Sequence, residues 1–303
     1  MRWFETPNFN FTGARRTAYI ISAVLFLLSL GAILTKGLQY GIDFKGGKEF
    51  VLDFEQPIEV TTLRSELTEP LGVTPELKLF GSDSDVLIRT DHEGEINVVQ
   101  NLITDKVQEL YPDNPATVIK TDVVGPRFAE DLKSGALQAV IYAMVIIFIY
   151  ILIRFRNWTF SAGAVAALIH DVVIVLGGFT LLSGIVPFSL QVDQAIIAAF
   201  LTIVGYSLND TVVVFDRIRE NSNVHKGMEY TEMVNKSLND TLSRTVITSV
   251  TTLFVVTVLF IFGGEVLKGF SFALIIGIIL GTYSSLFVAS SLVLEMDERT
   301  RKS

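Results

Sequence analysis

The sequence predicts an α-helical integral membrane protein of six transmembrane helices, with one ferredoxin-like α+β extracytoplasmic domain between the first and the second. Three observations carry this reading. Half of the 303 residues are apolar, the mean hydropathy is +0.49 and charged residues make up 18%, against roughly 25% in an ordinary soluble domain. The apolar residues gather into six runs, each near the roughly 20 residues that cross a bilayer as a helix. The long segment between the first two runs is acidic and alternates in the manner of strands and short helices.

The runs are Thr17 to Thr35, Gly135 to Ile153, Phe160 to Leu182, Ala195 to Phe215, Thr245 to Phe262 and Gly269 to Leu294. Arg15 and Arg16 precede the first, as at the start of a signal peptide. That run exceeds the usual length and no A-x-A pattern follows, so it is expected to remain as a membrane anchor. Lys and Arg near span ends stay on the cytoplasmic side. Arg2, Arg15 and Arg16 come before the first run, Arg154 and Arg156 join the second to the third, and Arg217, Arg219, Lys226, Lys236 and Arg244 lie between the fourth and fifth. Arg299, Arg301 and Lys302 follow the sixth, whereas the opposite short loops hold only Lys268. The expectation is a multi-pass protein of the cytoplasmic (inner) membrane with both termini cytoplasmic. Residues 1–36 form the N-terminus and first helix, 37–133 the outward domain, and 134–303 the other five helices, with a cytoplasmic loop over 216–243 and a cytoplasmic C-terminus.

Within the outward segment, Glu49 to Phe54 alternates as a strand, and Pro57 to Leu71 reads as a helix with Thr61 and Thr62 as candidate caps. Leu77 to Phe80 and Val86 to Arg89 flank a Gly-Ser-Asp-Ser-Asp turn and suggest a hairpin. Ile96, Val99, Leu102, Ile103, Val107 and Leu110 recur at helical spacing, and Ala116 to Val124 forms a last strand. The order βαββαβ is that of the ferredoxin-like split arrangement.

Several chemistries are excluded. There is no cysteine, hence no disulfide, thiolate nucleophile or Cys-ligated metal. No P-loop, H-E-x-x-H or G-x-S-x-G pattern occurs, so the chain is read as a non-enzyme with no cofactor and no metal site. A net charge of -8 argues against nucleic acid as a partner. Gly41-Ile42-Asp43-Phe44-Lys45-Gly46-Gly47 follows the first run and supplies the glycines a helix-to-strand passage needs, and Gly125-Pro126 closes the outward segment. Gly41, Gly46, Gly47, Gly125 and Pro126 are candidate hinges. Gly277 and Gly281 in the sixth run have GxxxG spacing, which permits close helix contact; packing is the default reading, and contacts outside the chain are the further expectation.

Polar residues inside apolar runs are costly and mark function. His170 and Asp171 fall mid-way along the third run; adjacent helix positions point about 100° apart, so they need not share partners. In the fourth, Thr202, Tyr206 and Asp210 lie at i, i+4 and i+8, with Asn209 beside them. Arg244, Thr248 and Thr251 make a matching stripe at the start of the fifth. The loop between those runs returns to the same side, so Asp210 and Arg244 can approach and serve as counter-charges. A carboxylate that takes up a proton, beside an arginine that stays charged and can change partners, is the minimum apparatus for tying proton passage to helix movement. A static buried pair that fixes helix register is the alternative.

GIDFKGG after the first run, VGP before the second, HD in the third, GYSLNDTVVVFDRIREN in the fourth and RTVITS opening the fifth together resemble the SecD/SecF family, within the resistance-nodulation-division superfamily of ion-driven transporters. The length resembles the separate SecF half more than a fused SecDF chain. The resemblance implies an auxiliary protein-export subunit that works with SecD and the SecYEG channel on a translocating polypeptide in the membrane lipid, driven by proton-motive force. By the same resemblance Asp210 and Arg244 would serve proton coupling; Asn209, Tyr206, Thr248, His170 and Asp171 are candidate supporting polar residues, with structural polar packing the default reading of His170 and Asp171 and a relay the alternative. A stand-alone small-molecule exporter of the superfamily and an ion-independent scaffold subunit are the rival readings.

Overall fold

Hydrocarbon offers no water to backbone N–H and C=O groups, so a spanning segment must satisfy them within its own helix. The computed structural model describes residues 7–186 and 188–302, the side chains of 265, 266 and 298–302 excepted. Of the basic residues used for orientation, Arg2 lies outside the described residues, as do the side chains of Arg299, Arg301 and Lys302. Six helices are long and apolar enough to cross a membrane. These are α1 (Phe11–Lys36), α5 (Pro126–Phe155), α6 (Trp158–Leu182), α7 (Gln194–Val224), α8 (Tyr230–Phe262) and a last span built of α9 (Glu265–Ser284), a π-helical turn (Ser285–Ala289) and α10 (Ser290–Lys302). About half of α6, α7 and the last span is buried, against 6% of α5 and 17% of α8, so the former three make the centre of the bundle.

The helices outrun the apolar stretches. Apolarity reports where lipid lies, whereas hydrogen bonding carries a helix on into water. The connection expected over 216–243 is therefore mostly helix, and only residues 225–229 between α7 and α8 are not. The π-helical turn interrupts the sixth span, which was expected as one regular helix.

Between α1 and α5 lie α2 (Ile42–Lys45), β1 (Gly47–Phe54), α3 (Val60–Leu71), β2 (Glu76–Leu79), β3 (Asp85–Thr90), α4 (Ile96–Leu110) and β4 (Ala116–Val124). The strands form one small sheet in the order β2-β3-β1-β4, every neighbouring pair antiparallel. Side chains alternate across a strand. Phe50, Leu52 and Phe54 thus face α3 and α4, packing with Leu63, Leu67, Val99, Ile103 and Val107, while Glu49, Val51, Leu87 and Arg89 are buried on the opposite face. Thr61 and Thr62 do not cap α3. Its N-cap is Glu59, whose carboxylate accepts from the two threonine hydroxyls at 2.7 and 3.1 Å, which holds that carboxyl below its usual range.

Gly277 and Gly281 are spent inside the chain, which corrects the expectation of an outer contact surface. An added Cβ at Gly277 would run into the Ile203 side chain, and at Gly281 it would lie 2.9 Å from Ser207 Cβ. They let α9 lie close against α7.

A buried polar site in the membrane bundle

Asp171 of α6 is 1% exposed and is supplied with donors from three sides. Ser207 of α7 donates to its Oδ2 at 2.9 Å, Ser284 of α9 donates to the same oxygen at 2.7 Å, and His170 Nδ1 lies 2.9 Å from Oδ1. One carboxylate thus ties together the three central helices, and Ser284 is the last residue before the π-helical turn. Such turns occur mostly where a helix serves a function. His170 stacks between Phe26 of α1 and Tyr283 of α9. The Tyr283 hydroxyl donates to Ala18 O at 2.8 Å and lies 3.0 Å from Ser22 Oγ, which joins α1 to the cluster. The neighbours His170 and Asp171 do meet through their side chains, because χ rotation spans the 100° between them.

Asp210 sits one helical turn beyond Ser207 on α7 and is 3% exposed. Its situation is the reverse of that of Asp171: Oδ2 is buried with no hydrogen-bond partner among the described residues. Arg244 and Thr245 of α8 are its polar neighbours. No direct ion pair joins Asp210 to Arg244 among the described residues; Arg244 is exposed at the surface of the chain. Thr248 donates to the Arg244 carbonyl at 2.9 Å. Asn209 is exposed, and Tyr206 is half-buried with no partner for its hydroxyl among the described residues. Thr202, also exposed, does not share a face with Asp210, because a helix of 3.6 residues per turn drifts by about 40° over each four-residue step. The structure therefore brings His170 and Asp171 together with Ser207 and Ser284, places Asp210 beside that cluster, and leaves Asn209 and Arg244 facing outward.

At the other end of α7, the candidate hinges are packed into a junction. Gly41 N–H donates to Val192 O at 2.8 Å, Val192 N–H donates to Gln39 O at 2.7 Å, and Gln194 N–H donates to Asp43 Oδ2 at 2.9 Å. Gly47, at φ 112°, has room for no Cβ, which would lie 2.9 Å from Thr90 O. Gly125 is the N-cap and Pro126 the first residue of α5. Asp193 caps α7 through Ile196 N–H at 2.8 Å; burial, with Asp43 close by, pushes its carboxyl up. Ser207, Ser284, Arg89 and Gln191 carry structural roles here that the sequence alone does not reveal. Ser207 stands inside the GYSLND run, but nothing in its spacing marks it as a ligand of Asp171.

A bundle of six apolar helices with buried carboxylates at its centre and a small α+β domain between its first two spans is the architecture of a multi-pass membrane protein. Comparison with known proteins narrows the class. The family described as "Protein export membrane protein SecD/SecF, C-terminal" matches residues 103–299, and the "SecD/SecF GG Motif" matches residues 31–58. "Protein translocase subunit SecF" of Rhodothermus marinus is 58% identical over 299 residues, covering 99% of this chain and 96% of the relative. The crystal structure of SecDF from Thermus thermophilus superposes with a TM-score of 0.85 at 39% identity, covering 98% of this chain. SecDF in a "Super-membrane-facing form" gives a TM-score of 0.73 at 37% identity, covering 99% of this chain. The chain spans 40% of the length of each of those SecDF chains. The chain belongs to the SecD/SecF family.

Proposed function

We propose that this protein is the SecF-type auxiliary subunit of the Sec protein translocase, and that together with SecD it couples proton-motive force to late steps of export across the cytoplasmic membrane. The observation that carries the coupling is the buried Asp210 oxygen with no donor among the described residues, set beside an arginine that acts on it by charge but makes no direct ion pair among those residues. A guanidinium facing lipid is costly, so the exposed Arg244 of α8 marks the face a second membrane subunit covers. The SecDF relative, which carries a matching region as 40% of one longer chain, supports SecD as that subunit. SecYEG and the translocating polypeptide are further proposed partners. The basic short segments support cytoplasmic termini. We read the outward sheet with its two helices as the ferredoxin-like arrangement, supported by its element order and antiparallel strand order.

Arg244 acts on Asp210 through its charge, without a direct ion pair; proton uptake at Asp210 removes that attraction and lets Arg244 favour a carboxylate on the partner, while Asp171 keeps its three donors and holds α6, α7 and α9 together. One charge crossing 100 mV supplies about 2.3 kcal/mol, a bias of nearly fifty-fold on a two-state arrangement. Asp210→Asn retains the volume and removes the titration. In inverted membrane vesicles holding the assembled complex, it should abolish the gradient-stimulated part of protein translocation and spare the ATP-driven part. Full gradient stimulation in an assembled Asp210→Asn complex would leave a scaffold role instead.

A further inference from the structure

Arg89 of β3 and Gln191 of the α6–α7 connection are 102 positions apart in sequence, yet both are more than nine-tenths buried, at 6% and 7% exposure. Arg89 Nη2 donates to Gln191 Oε1 at 2.9 Å and to Glu49 Oε2 at 2.5 Å. Its Nη1 donates to Tyr40 O at 3.4 Å and lies 3.6 Å from Glu76 Oε2. Gln191 Nε2 donates back to Glu76 Oε1 at 3.3 Å. The guanidinium fork therefore spans two bodies: the outward sheet, through Glu49 and Glu76, and the segment three residues ahead of α7. Beside it, Tyr40 and Val192 form a parallel bridge, and Leu190 and Val192 are buried in the apolar core of the membrane bundle. Asp210 lies 16 residues beyond Gln194 on the same helix, about 24 Å at 1.5 Å per residue.

From this geometry we infer that the Arg89–Gln191 link fixes the outward domain to the outer end of α7, and that gradient-stimulated export requires the link. This rests on the export role proposed above. The outward domain is then carried by the helix that holds Asp210, rather than hanging on the glycines at Gly41 to Gly47. Arg89 and Gln191 are positioning residues: neither touches a proton or the polypeptide, and each acts by where it holds α7. An arginine suits the place because its planar fork reaches carboxylate and amide oxygens at fixed angles, which an ammonium does not.

The native chain has no cysteine, so spin labels can be placed at Ser82→Cys in the outward domain and Ile185→Cys in the α6–α7 connection of the full chain. The unaltered link should give one narrow distance distribution. Gln191→Leu lies outside the outward domain and leaves its sheet and core untouched; this variant and Arg89→Gln should each broaden the distribution and lower gradient-stimulated translocation at least fivefold, with translocation driven by ATP alone unchanged. The exchange Arg89→Gln with Gln191→Arg returns a fork to the same carboxylates from the other side, and should narrow the distribution and recover at least half of the stimulation. Narrow distances in both single variants would overturn the link, and retained stimulation despite broadened distances would overturn its role in export. Asp210→Asn with Arg89 and Gln191 intact should keep the narrow distribution, so the link and the coupling at Asp210 can fail separately.

Discussion

Replacing Gly281 by alanine should cost the membrane bundle about 1.5–5 kcal/mol, and the loss centres on Ser207. The added Cβ would lie 2.9 Å from Ser207 Cβ, 3.2 Å from its Oγ and 3.3 Å from its Cα. Carbon atoms rest at about 3.5–4.0 Å. Because Cα is among the contacts, turning the serine side chain does not relieve the clash, and α7 and α9 must part by roughly 0.6 Å. Asp171 Oδ2 is shared by Ser207 of one helix and Ser284 of the other, at 2.9 and 2.7 Å. It cannot follow both, so one of those bonds stretches to roughly 3.5 Å, where a hydrogen bond is lost. Overpacking costs about 1–3 kcal/mol and a hydrogen bond to a charged group about 1.5–3, offset by about 1 for exchanging a helical glycine for alanine. Unfolding of the purified full chain in detergent, followed by loss of helical signal, measures the difference. Gly178→Ala is the control, since its Cβ would meet only Ile276 Cδ1 at an ordinary 3.9 Å. In a Ser207→Ala background the Ser207 hydrogen bond is already gone, so Gly281→Ala should cost about 1.5–3 kcal/mol less. An unchanged stability in Gly281→Ala, or equal damage from Gly178→Ala, would refute the reasoning.

Asp193→Asn should stabilise the chain at neutral pH while keeping the α7 cap, since asparagine caps as well as aspartate. The native state holds the Asp193 proton more tightly than the unfolded chain does, so stability contributed there falls as pH rises from the unfolded value of about 3.9 to the raised native one. The gain from asparagine should therefore appear above that window and vanish below it, as unfolding across pH will show. Ile103→Ala, at a fully buried position between α4 and the sheet, should cost about 2–5 kcal/mol. Amide exchange should locate that loss in the outward domain, with α6 and α7 protected as before. Single thiols at Ser82→Cys and Ser222→Cys should react with impermeant reagent from opposite sides of the membrane; reaction of both from one side would defeat the proposed orientation.

The parts of this molecule that can be read from its sequence are those where one residue type conflicts with its surroundings. Asp171 and Asp210 stand out because a charge in an apolar run is costly, Arg244 because it stands directly before such a run, and the strands between the first two spans because alternation survives in Glu49 to Phe54. What was not legible is what neutral or ordinary residues do once distant segments meet. A serine in a helix is unremarkable, so Ser207 and Ser284 give no sign that they share one oxygen of a third helix. Arg89 stands near the end of a strand as many solvent-facing arginines do, and only the docking of the sheet on the α6–α7 connection buries it against Gln191. Helix ends were misjudged for a related reason: the apolar run stops at the headgroups, whereas α8 continues 15 residues on the polar side of Thr245. The same distinction bears on where function is built. Asp171 has a partner at each of its oxygens and so fixes the packing of α6, α7 and α9, whereas Asp210, one turn beyond Ser207, has an oxygen with no donor among the described residues. A site in which one carboxylate is satisfied and its neighbour is not has a fixed frame and one group free to change its bonding, which is what a helix must offer if a single proton is to move it.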